Sequence, residues 1–75
     1  MNKELKEAWE EFTKALVPFK GYIKDFFTDE KLEEIEKKLE MGAKISDEFK
    51  NAVEDMKYES KKLKKAAKKL RRMLY

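Results

Sequence analysis

Seven apolar side chains near the start of the chain, Leu5, Trp9, Phe12, Leu16, Phe19, Ile23 and Phe26, follow one another at steps of 4, 3, 4, 3, 4 and 3 residues. That alternation draws one stripe along an α-helix, whereas a strand turns successive side chains to opposite faces. The same spacing returns in Leu32, Ile35 and Leu39, and again in Phe49, Val53, Met56, Ser60, Leu63, Ala67, Leu70 and Leu74. No segment alternates with period two. The fold class expected is all-α, a small helical bundle. At 75 residues the chain makes one domain, 1–75, with a thin core that self-association often completes.

Punctuation divides the stripes. Pro18 removes a backbone donor and clashes with the carbonyl of Lys14, and Gly21 lowers helix propensity beside it. Two readings stay open: one helix over about 3–27 that kinks at Pro18, or a break there. Thr28, followed by Asp29 and Glu30, has the chemistry of a helix N-cap. Gly42 suits the left-handed residue after a helix, and Ser46 suits the next cap. This predicts helices over about 29–41 and 47–74; the rival is one unbroken helix over 29–74. The turn at Gly42 matches a DNA-binding helix-turn-helix poorly, because Lys37 and Glu48 fall where apolar residues are expected.

The lengths conflict. A helix over 47–74 would run about 42 Å, and one over 29–41 only about 20 Å. The shorter helix leaves Leu63, Leu70 and Leu74 uncovered. Either residues 3–16 fold over them after a break at Pro18, or a second copy or a partner does. A homo-oligomer is therefore expected.

Charge is split along the chain. Residues 1–60 hold 11 basic and 16 acidic side chains, whereas 61–75 hold eight basic and none acidic. On a helical wheel with Leu63 at zero, Met73, Ala66, Leu70, Leu63, Leu74 and Ala67 lie between about 280° and 40°. The cations Lys61, Lys62, Lys64, Lys65, Lys68, Lys69, Arg71 and Arg72 lie between about 80° and 260°. Ordinary solvated faces mix signs, whereas here Lys61–Lys65, Lys64–Lys68, Lys65–Lys69 and Lys68–Arg72 repel at i,i+4. One reading has acids elsewhere neutralise the run, with Asp29, Glu30, Glu33 and Glu34 at its start and Glu4, Glu7, Glu10 and Glu11 along the rest.

The other reading makes the eight cations a nucleic-acid contact. Neutralised phosphates release counterions, so a basic half-cylinder binds with steep salt dependence. Base-edge readers are scarce: there is no glutamine, and Asn2 and Asn51 lie outside the stretch. Backbone binding without strong sequence specificity is expected, with Tyr75 the one stacking ring on that face. An anionic membrane surface ranks lower, because an apolar face without Trp or Phe inserts weakly.

Six of the nine aromatic residues fall between 9 and 27: Trp9, Phe12, Phe19, Tyr22, Phe26 and Phe27. Rings at helical spacing are usually core. Tyr22 and Phe27 sit off the stripe, however. Trp9, Phe12, Tyr22, Phe26 and Phe27 therefore form a candidate protein interface, of the kind an interaction module or inhibitor would use. An acidic partner protein, bound by this segment or by the basic face, is the alternative to nucleic acid.

With no histidine or cysteine, nucleophilic triads and the usual zinc sites are ruled out, and two glycines cannot build a phosphate loop. Catalysis is not expected, and no cofactor or metal is implied. The amphipathic start is unlike a signal peptide, and no apolar run reaches membrane-span length, so a cytoplasmic setting is expected. In size and composition the chain resembles the short helical proteins of phages and mobile elements. A designed bundle is the other origin compatible with this composition, although Pro18, Gly21 and the off-stripe rings depart from idealised patterning.

Overall fold

The structure is a computed structural model that describes residues 2–19 and 27–74. Gly21, Tyr22, Ile23, Phe26 and Tyr75 lie outside the described residues. Among those described, there are four α-helices and no strand: α1 (Lys3–Leu16), α2 (Asp29–Glu40), α3 (Asp47–Asp55) and α4 (Lys61–Leu74).

Each helix begins on a short polar side chain that accepts a backbone N–H three residues on. Asn2 accepts from Leu5 at 2.7 Å, Thr28 from Lys31 at 3.2 Å, Ser46 from Phe49 at 3.3 Å and Ser60 from Leu63 at 3.1 Å. These bonds satisfy amides that the first helical turn leaves without partners. α2 ends as its glycine implies. Gly42 sits at φ +70°, its N–H donates to the Leu39 carbonyl, and the Ala43 N–H reaches back to the Lys38 carbonyl. That pair of bonds is a Schellman C-cap.

At Pro18 the helix stops. α1 ends at Leu16 and passes into a 3₁₀ turn over Val17–Phe19, so the regular α-helix is interrupted at Pro18; the rest of the expected span, 20–26, lies outside the described residues. The expected helix over 47–74 is also broken. α3 ends at Asp55, a 3₁₀ turn covers Met56–Tyr58, and Ser60 opens α4. A straight helix of that span would need about 42 Å, and the longest dimension of the molecule is 28 Å.

This second break resolves the conflict of lengths. α4 folds back so that α1 and α3 both pack against it. Leu63 and Leu70 are fully buried within one chain, and Met73 and Leu74 pack at the edge of the core. The uncovered apolar length that called for a second copy is thus covered by α1.

Four rings hold the middle of the core. Their centroids form a closed circuit, from Trp9 to Phe12 at 6.3 Å, Phe12 to Phe27 at 5.7 Å, Phe27 to Phe49 at 5.7 Å and Phe49 back to Trp9 at 6.2 Å. All four pairs are tilted or edge-on, the arrangement favoured by ring quadrupoles. Leu32, Ile35 and Leu39 of α2 join this core. No other described element comes within 8 Å of the α2 backbone, Cα to Cα.

Candidate functional site

The apolar positions of α4 are consumed by the core: Leu63, Ala66, Ala67 and Leu70 are buried. The helical period therefore turns every cation of the run outward or to the flank. Lys61, Lys62, Lys64, Lys65, Lys68, Lys69 and Arg72 are exposed, and Arg71 is half-buried.

Among the described residues, neutralisation from elsewhere in the chain is partial. Glu11 of α1 approaches Lys69 at 3.4 Å, as the sequence suggested for that helix. Glu54 of α3 meets Arg71 at 3.1 Å, a pairing that a continuous helix over 47–74 would have forbidden. Glu34 pairs with Lys38 inside its own helix, and Glu30 and Glu33 come within 4.0 Å of no cation among the described residues. Lys61, Lys62, Lys64, Lys65, Lys68 and Arg72 have no described carboxylate within 4.0 Å.

Beside the C-terminal half of α4 lies a groove of about 590 Å³, lined by Glu54, Lys57, Ala67, Lys68, Arg71 and Arg72. Glu54 organises it. One carboxylate oxygen accepts from Lys57 Nζ at 3.3 Å and the other meets Arg71 Nη2 at 3.1 Å. Two cations are thus fixed by one acid, and the lining stays positive. The Glu54 carboxylate raises the pKa of Lys57 above the usual lysine value, with the Tyr58 side chain adding to the effect. Lys57 is therefore a cation throughout the neutral range. Its Nζ also stands 5.0 Å from the centroid of the Tyr58 ring.

Three of the five rings named for a protein interface lie inside the fold. Trp9, Phe12 and Phe27 are no more than 2% exposed, because they form the core circuit together with Phe49. A partner cannot reach them without opening the fold. Tyr22 and Phe26 lie outside the described residues, as does the stacking role given to Tyr75. Sequence reasoning did not single out Lys57, which lines the groove, or its neighbour Tyr58. The available signal was that Tyr58 falls off the apolar register, two residues after the buried Met56.

Among the described residues, no group of carboxylates is placed to hold a metal ion, and no helix is long and apolar enough to cross a membrane. Comparison with protein-family models, curated proteins and solved structures gives no match to this chain.

Proposed function

We propose that this protein is a non-enzymatic binder of nucleic acid that grips the phosphate backbone with the outward face of α4. One observation carries the reading: six cations stand on that face without a described carboxylate, on a helix whose opposite face is locked into the core. Holding them together has a cost. Lys61–Lys65, Lys64–Lys68 and Lys68–Arg72 are like charges at i,i+4, each pair opposing the helix by roughly 0.2–0.5 kcal/mol. A bound polyanion removes that repulsion and gains the entropy of released counterions. Side chains suited to reading base edges are scarce on α4, so affinity without strong sequence preference follows. The membrane alternative is weaker for α4, because Leu63 and Leu70 are already buried and little apolar surface of that helix remains to insert.

Reversing charge at three of these six positions tests the proposal. The triple variant Lys64→Glu, Lys68→Glu, Arg72→Glu should lose at least about 100-fold in oligonucleotide affinity at low salt, with unchanged helicity by circular dichroism. Equal affinity in the folded variant would refute the proposal. Failure of the wild-type protein to bind duplex DNA, single-stranded DNA or RNA at low salt would refute it too, and would point the basic face toward an acidic protein.

A further inference from the structure

We infer that the strand bound is single, with a phosphate in the groove between the Met56–Tyr58 turn and α4 and an unpaired base stacked on Tyr58. The inference rests on the phosphate-binding reading above and adds the kind of nucleic acid it takes.

Three observations converge on one edge of the molecule. The first is the groove itself. Lys57 reaches it from the turn, and Lys68, Arg71 and Arg72 reach it from α4, with Glu54 the one acid in the lining. Cations from two elements facing one concavity can surround a phosphate, whereas those farther up α4 meet it from one side only. The second is the exposure of Tyr58. The ring is 79% exposed, although the core has taken up the other described rings of α1 and α3. An isolated exposed ring is ordinary on a protein surface. The third observation gives this one a setting: Lys57, a lining residue of the groove, holds its Nζ 5.0 Å from the ring centroid. The ring is therefore linked to the cationic groove through Lys57, and Tyr58 is open to solvent.

A duplex does not use such a ring. Its bases are stacked on one another and present only their edges in the grooves. An unpaired base offers a free face, and stacking on an aromatic side chain then adds affinity that tolerates any base. A positive groove combined with an exposed ring is the combination that non-specific single-strand binders use.

The test is fluorescence anisotropy at low salt with three labelled probes of equal length: an oligo(dT) strand, a duplex, and an abasic strand that keeps the phosphates and lacks the bases. The wild-type protein should prefer the oligo(dT) strand to the duplex. It should bind the abasic strand roughly five- to 150-fold more weakly than oligo(dT), the range for one stacked base. Tyr58→Ala should lose a similar factor on oligo(dT) and change duplex affinity by less than about twofold, whereas Tyr58→Phe should bind like wild type. Preference for the duplex, equal affinity for the abasic strand, or full affinity in Tyr58→Ala would overturn the inference. If the Lys64, Lys68, Arg72 variant still lost binding, phosphate recognition by α4 would stand. No binding of any probe by wild type would remove both.

Discussion

At the scale of single residues, Gly42 and Ser60 set the ends of helices by different physics. Gly42 holds φ +70°, and a Cβ added there would meet nothing within 4 Å. Replacement by alanine therefore brings no clash, only the left-handed conformational penalty of about 1–2 kcal/mol. Ser60→Ala removes an acceptor for the Leu63 N–H and should cost about 1 kcal/mol. Urea unfolding should show both losses as a lower midpoint with an unchanged slope. A neutral Gly42→Ala would mean that the C-cap of α2 forms without the left-handed turn. Gly42, Thr28 and Ser46 were readable in the sequence because each combines a special backbone preference with a flanking change of pattern. Ser60 was not, since it falls in step with the apolar stripe around it. Nor was Tyr58, whose position beside Lys57 depends on a turn that periodicity does not report.

At the scale of elements, the helices were legible and one break was not. Steps of 3 and 4 continue from Met56 through Ser60 to Leu63, so the stripe looks unbroken where the backbone turns. Apolar spacing records which side chains are buried, and both α3 and α4 bury theirs. It does not record that they do so on two separate axes. The interruption at Pro18 was readable because proline acts on the backbone itself. The elements also differ in how firmly they are held. α1 and α4 pack closely and carry residues with no exposure at all, including Ala8, Phe12, Leu63 and Leu70. α2 contributes Leu32, Ile35 and Leu39, each at 7–8% exposure, without close backbone approach to another described element. Native-state hydrogen exchange should therefore find the α2 amides opening at lower free energy than those of α1 and α4. Protection in α2 equal to the most protected amides of α4 would contradict this account of the packing.

At the scale of the whole molecule, folding packs acidic segments against the basic helix and, among the described residues, pairs their charges only in part. The principal dimensions are 28, 22 and 19 Å, so the basic run on α4 and the acids of α1 and α2 belong to one small body. Only two cations of that run, Lys69 and Arg71, are drawn into described ion pairs with acids outside it. Both pairs are substantially solvent-exposed, and exposed pairs contribute at most about 1 kcal/mol. The self-neutralised reading of the sequence therefore accounts for part of the run, and six cations remain facing solvent without a described carboxylate. That surplus is the basis of the proposed function. It is measured most directly by the salt dependence of affinity for a single-stranded oligonucleotide between about 50 and 200 mM monovalent salt. If all six cations contact phosphates, log Kobs should fall against log salt with a slope near −4, a loss of roughly 300-fold across that range. A slope shallower than about −1, or no binding at the lowest salt, would contradict the claim that α4 is a phosphate-gripping surface.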